Sequence, residues 1–124
     1  MIRSAGCITI FMVILAACMA NRENDVYARV PFRPNLVCDS RGMTLANTED
    51  APYLDTRITI YVGWVNYTAI VGTVEPGQKV SRQFVDFANA KGEVFDPENQ
   101  KGAHIEVRAS FRGYDDHKDF PPPR

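Results

Sequence analysis

The sequence is poor in cysteine and has no excess of charge of either sign. Its three cysteines, Cys7, Cys18 and Cys38, form no CxxC motif and no Cys/His pair within its 124 residues. The spacing therefore supports neither a disulfide scaffold nor a thiolate metal centre. The formal net charge of −1 gives no electrostatic reason to expect a nucleic-acid partner.

Motifs of known enzyme chemistry are absent as well. The chain contains no GxSxG, no HExxH and no glycine-rich phosphate loop. Of its two histidines, His104 is expected on the solvated face of a strand, and His117 lies among Asp115, Asp116 and Asp119. We interpret the His117 region as a solvated acidic tail, since a hard cation needs several oxygens held together. The sequence thus predicts no catalytic residue, no cofactor and no metal site, and a protein that is not an enzyme.

No apolar run reaches the roughly 20 residues that a membrane-spanning helix requires. Residues 8–17 are apolar apart from Thr9, follow the basic Arg3, and give way to the polar residues 21–25. A short basic region followed by a short apolar stretch is typical of an export signal. Residues 1–17 are therefore predicted to be a signal peptide, with an uncleaved signal anchor as the alternative.

The end of this signal, Leu15-Ala16-Ala17-Cys18, resembles the lipobox of bacterial lipoproteins. The resemblance implies a diacylglycerol on the thiol of Cys18, cleavage before it, and a further fatty acid such as palmitate on its new amino group. Two or more acyl chains hold a protein at a membrane persistently. Since Met19 is not the Asp linked to inner-membrane retention, the outer membrane facing the periplasm is expected, with the outer face of the inner membrane as alternative. An ordinary secretory signal with a chance cysteine is the competing interpretation.

Proline and charge divide the remainder of the chain. Residues 18–35, punctuated by Pro31 and Pro34, are predicted to be the lipidated cysteine and a tether. Residues 36–112 are predicted to form a β-sandwich domain. Residues 113–124, which are charged and end in three prolines before Arg124, are predicted to be a flexible tail.

Alternating apolar residues are the clearest structural signal in residues 36–112. They predict two strands, with one face formed by Ile58, Ile60 and Val62 and by Ile105, Val107, Ala109 and Phe111. Weaker strand signals separated by turns occur at residues 36–38, 44–47, 67–71, 79–84 and 93–95. About seven short strands predict an all-β antiparallel sandwich of the immunoglobulin or fibronectin III type. Cys38, flanked by Leu36 and Val37, is interpreted as a core thiol in preference to one that pairs between chains.

The order of several residues resembles a group of small exported bacterial domains. The resemblance rests on Leu45-x-Asn47, on Val74-x-Pro76-Gly77 and on the stretch 87–95, FANAKGEVF. It implies a β-sandwich and assigns no activity. Within that stretch we interpret Phe87, Gly92 and Phe95 as structural, with the two rings pinning a loop to the sandwich.

Three aromatic residues, Tyr61, Trp64 and Tyr67, lie close together near one strand end. Core and rim packing is the favoured interpretation, and a platform for a protein or glycan is the alternative, because Tyr and Trp are enriched at binding surfaces. The sequence leaves open whether Trp64 plugs the sandwich or lies exposed. We therefore expect a monomeric, lipid-anchored envelope protein that binds or spaces an envelope protein or glycan. A small periplasmic enzyme, or an accessory lipoprotein of a secretion or phage system, is the alternative.

Overall fold

The structure, a computed structural model, describes residues 30–101 and 104–122. The predicted signal peptide, residues 1–17, and the predicted lipid attachment at Cys18 lie outside the described residues. Phe32–Arg124 forms one compact unit. Within the described residues, no helix is long and apolar enough to cross a bilayer.

Two antiparallel sheets make up the described part of the unit. The strands are β1 (Asn35–Cys38), β2 (Gly42–Ala46), β3 (Tyr53–Val62), β4 (Val65–Val74), β5 (Lys79–Gln83), β6 (His104–Phe111) and β7 (Tyr114–Phe120). One sheet has the order β1-β2-β5 and the other the order β4-β3-β6-β7. A single 3₁₀ turn, Phe84–Asp86, follows β5. The prediction of an all-β antiparallel sandwich is confirmed.

The core follows from the alternation in the two central strands. Ile58 and Ile60 of β3 pair with Val107 and Ile105 of β6, and all four side chains are fully buried. Successive side chains of a strand point to opposite faces, so the residues between them form the outer face of the four-stranded sheet. Burying each of these side chains contributes about 1.5–3 kcal/mol. The predicted apolar faces of both strands are thus confirmed.

An aromatic cluster closes one end of the sandwich. Phe32 is buried, with its ring centroid 4.9 Å from that of Tyr53 and 5.5 Å from that of Phe111. The prediction that the tether extends to residue 35 is therefore wrong at its end, because Phe32 belongs to the core and β1 begins at Asn35. The predicted tether includes Phe32 because Pro31 and Pro34 bracket it, and that pattern does not reveal the burial of its ring.

The side chain of Asn47 stabilises the connection between β2 and β3 at the same end. Its buried side-chain amide donates to the carbonyl oxygens of Ala51 and Val74 at 2.9 Å, and its Oδ1 accepts the backbone N–H of Glu49 at 2.9 Å. A buried polar group is tolerated only when its hydrogen bonds are made, as they are here.

The segment predicted to be a flexible tail contains a strand. Tyr114–Phe120 pairs antiparallel with β6 along its whole length, so the prediction is wrong for these residues. The two turn residues Arg112 and Gly113 both have positive φ, 54° and 85°, as a tight hairpin turn demands and glycine allows. The inward positions Asp116 and Lys118 are polar, so β7 lacks the apolar alternation by which strands are recognised.

The predicted strand at residues 93–95 is also wrong, although seven strands are present. Val94 forms only an isolated bridge with Ala88, which in turn bridges to Thr68 of β4. The loop is held instead by Phe87 and Phe95, whose rings are buried and whose backbones are joined by a 2.9 Å hydrogen bond from the Phe95 N–H to the Phe87 carbonyl oxygen.

Candidate functional site

The sandwich has two distinct ends along the direction of its strands. At the Phe32 end lie Phe32, the start of β3 and the β6–β7 turn; at the Trp64 end lie the β3–β4 turn, the β1–β2 turn and residues 84–101. The chain enters the unit at the Phe32 end. The ten residues of β3 connect the two ends, which corresponds to about 33 Å at 3.3 Å per residue.

Trp64 occupies the tip of the β3–β4 hairpin. Together with Gly63 it forms the two-residue turn between the paired residues Val62 and Val65, and its side chain is 99% exposed. Tryptophan has the largest apolar side chain and is enriched at interfaces, where its ring is buried against a partner. The open question about Trp64 is therefore answered: it lies outside the core.

Three further exposed apolar side chains lie at the Trp64 end. They are Val65, Val85 and Val94, which are 41%, 65% and 46% exposed. The other exposed apolar residues of the described surface are Val30, Val37, Leu54, Ile70 and Tyr114. The concentration of exposed apolar side chains near Trp64 makes this end the candidate interaction surface.

A groove at the Trp64 end has a volume of about 610 Å³. Phe84 and Phe95 form its buried floor, and Val85 and Val94 form its exposed sides. Ligand-binding clefts typically measure about 300–1,000 Å³, so the groove is large enough for a small ligand or for a side chain of a partner. Among the described residues that line it, none is a histidine or a cysteine.

The acidic side chain at the groove is already engaged. Asn99 donates to the carboxylate of Asp96 at 2.6 Å and the backbone N–H of Glu98 donates to it at 3.0 Å. The bond from Asn99, followed by that from Glu98, holds the pKa of Asp96 below its usual value. A carboxylate that is ionised and already accepts hydrogen bonds within its own turn is poorly suited to act as a general acid or base.

A second cavity of about 310 Å³ lies beside Trp64 and is lined by polar residues that include Asn66, Lys91 and Glu93. The neighbouring Asn89 shapes this loop, because its Oδ1 accepts the backbone N–H groups of Lys91 and Glu93, both at 2.9 Å. An exposed indole with amide, ammonium and carboxylate groups around it offers both apolar and hydrogen-bonding contacts to a partner.

The predicted cluster of Tyr61, Trp64 and Tyr67 does not form. Tyr67 is buried beside Phe95 at a centroid distance of 5.6 Å, with its hydroxyl accepting a 2.6 Å bond from the side chain of Gln100. Tyr61 lies on the outer sheet face, stacked on His104 at 4.5 Å. Because side chains alternate between the two faces along β3 and β4, Tyr61 lies on the outer face of the sheet and Tyr67 in the core. Trp64, at the turn between these strands, is the fully exposed member of the three.

The outer face of the four-stranded sheet carries a group that the sequence did not single out. Glu106 of β6 and His117 and Asp119 of β7 each offer one ligand atom, and these three atoms lie within 4.8 Å of one another. His117 had been predicted to lie in a solvated tail, and it lies instead on a paired strand. Glu106 could not be associated with it from sequence, since that requires the register of β7.

Cys38 is half-buried at the end of β1, beside a small cavity that also contacts Leu36 and Phe120. Burial, and secondarily the charge of Asp39, raises the pKa of the Cys38 thiol. A thiol with a raised pKa is a weak nucleophile, so the position suits packing better than chemistry.

Comparison of the chain with protein-family models, with curated proteins and with solved structures gave no match. The function of the chain is therefore inferred from its own sequence and geometry.

Proposed function

We propose that the chain is a monomeric, non-enzymatic binding module of the bacterial cell envelope, anchored by lipid on Cys18, which contacts an envelope protein or glycan with its Trp64 end. The observation that carries the proposal is the full exposure of Trp64 at the end opposite the one where the chain enters.

The exposed residues of this end supply the kind of surface that binding requires. Trp64, Val65 and the two valines of the groove offer apolar area, and Arg41 and Lys91 at its margins offer hydrogen-bond donors. Tryptophan and arginine dominate the energetics of protein interfaces, where truncation of one central residue commonly costs about 2 kcal/mol or more. The lining of the groove argues against an enzyme, because its acidic residue, Asp96, already accepts a hydrogen bond from Asn99 within its own turn.

The chain contains a single tryptophan, so its intrinsic fluorescence reports on Trp64 alone. We expect long-wavelength emission that acrylamide quenches efficiently in the free protein, because the indole is in water. Addition of isolated peptidoglycan, or separately of detergent-extracted envelope proteins, should shift the emission to shorter wavelength and protect it from acrylamide.

A second reporter tests the location of the contact. The double variant Trp64→Phe, Ile70→Trp moves the indole to the outer face of the four-stranded sheet, where Ile70 is 67% exposed. This reporter should not respond to either fraction. If the emission of the Ile70→Trp reporter shifts and that of Trp64 does not, the assignment of the Trp64 end is refuted. If the emission of neither reporter shifts, the binding module is refuted.

A further inference from the structure

The β6–β7 pair brings two carboxylates and an imidazole together on the outer sheet face. His117 and Asp119 are two residues apart on β7, so they project to the same side. Glu106 of β6 is the direct cross-strand partner of Asp119. With one ligand atom from each residue, all three atoms lie within 4.8 Å of one another.

The register of the two strands sets two carboxylates against each other, because Glu106 lies directly opposite Asp119. Like charges directly opposite on neighbouring strands are destabilising. Arg108 reaches Glu106 at 3.4 Å and Asp115 at 3.3 Å, which is longer than a good charge-assisted hydrogen bond. Within the described residues, no basic side chain of Lys or Arg pairs with Asp119, so the carboxylate pair is only partly neutralised.

One of the three ligands is held in place before any ion binds. The side chain of Glu106 is 13% exposed, and its Oε1 accepts a 3.3 Å hydrogen bond from the hydroxyl of Tyr61. Tyr61 is itself stacked on His104.

We propose that Glu106, His117 and Asp119 form a binding site for a divalent transition-metal ion of the zinc type. Calcium and magnesium prefer shells of six or more oxygens, whereas one imidazole nitrogen with two carboxylate oxygens suits zinc. Zinc lies about 2.0–2.2 Å from such ligands, so the three atoms must approach each other somewhat. His117 and Asp119 are exposed and can turn toward Glu106. The remaining coordination position stays open to water or to a ligand.

Such an ion would have a structural consequence for β7. This edge strand pairs only with β6 and has polar residues at two of its inward positions, so apolar burial contributes little to its attachment. A metal held by residues of both strands joins β7 to β6. The two exposed ligands lose side-chain freedom on binding, which weakens the site relative to one whose ligands are all held in place.

The test uses the full chain in detergent, without a histidine tag and stripped of metal, with zinc titrated against a chromophoric chelator. The wild type should bind one zinc ion. His117→Ala and Asp119→Asn should each weaken binding by at least about tenfold, since even loss of an outer-shell partner costs that much at metal sites. His104→Phe, which removes the other imidazole of the same face but keeps a ring to stack on Tyr61, should bind as the wild type does.

Thermal denaturation gives a second readout, in which zinc should raise the melting temperature of the wild type and of His104→Phe, but not that of His117→Ala or Asp119→Asn. Each variant's circular dichroism without metal establishes that it is folded. The site is refuted if the wild type binds zinc no better than both ligand variants, if His104→Phe loses as much affinity as His117→Ala, or if calcium competes on equal terms.

Discussion

Phe87 offers the sharpest test of how the Trp64 end is held together. Its side chain is fully buried, its N–H donates to the Phe84 carbonyl at 3.1 Å, and its own carbonyl accepts from Phe95. Phe87→Ala removes the ring and leaves a cavity that the surrounding strands can only partly fill. Truncation of a buried phenylalanine costs about 3–5 kcal/mol, a large share of the roughly 5–15 kcal/mol that stabilises a typical domain.

For a domain of under about 100 residues, each kcal/mol corresponds to about 4–8 °C in melting temperature. Phe87→Ala should therefore lower the melting temperature of the protein by roughly 12–40 °C, measured by circular dichroism. Trp64→Ala is the matched control, because it removes a larger side chain that is 99% exposed and should leave the melting temperature nearly unchanged. An unchanged melting temperature for Phe87→Ala would refute the structural role of the loop and would direct the search for a binding site to that loop.

Four further predictions follow from other parts of the sandwich. Ile60→Asp should unfold the domain, because it buries an unpaired charge in the core, whereas Arg57→Ala on the exposed face of the same strand should cost little; circular dichroism distinguishes them. Asn47→Ala should cost about 1–3 kcal/mol in chemical denaturation, because the carbonyl oxygens of Ala51 and Val74 lose their donor, and an unchanged midpoint would contradict this. Gly92→Ala should cost about 1–2 kcal/mol through its backbone alone, since Gly92 has a φ of 82° and no atom lies within 4 Å of an added Cβ. The carboxylate of Asp39 has a lowered pKa, because it accepts hydrogen bonds from the backbone N–H groups of Arg41 and Gly42. Its contribution to stability is present above its ordinary pKa of 3.8 and is lost as the pH falls through the lower pKa of the folded state. Asp39→Asn should therefore flatten the decrease in melting temperature at acid pH.

The central strands could be predicted from sequence because their burial is periodic. Ile58 and Ile60 alternate with polar residues, and the same holds for Ile105 and Val107, so one face had to be buried. β7 was missed for the complementary reason. Its neighbours in the sheet, and not its own apolar pattern, determine that it is a strand.

The candidate sites depended on information that the linear sequence does not carry. Gly63-Trp64 at the end of a strand fits a buried plug as well as a hairpin tip, and only the pairing of Val62 with Val65 decides between them. The approach of Glu106 to Asp119 depends on the register between β6 and β7. The register of β7 leaves no local signal, because that strand has no apolar period. Val62 and Val65 are close in the chain, but the residues between them fit either position of Trp64.

Lipid attachment at Cys18 is the central claim of the proposed function, and metabolic labelling tests it most directly. The wild type, expressed in a bacterium with labelled palmitate, should become labelled and partition into the detergent phase, and Cys18→Ser should do neither. Cys38→Ser is the matched control and should behave as the wild type does, because the half-buried Cys38 lies within the folded unit. A wild type that remains unlabelled and soluble, or a Cys18→Ser variant that still takes up label, would contradict the account.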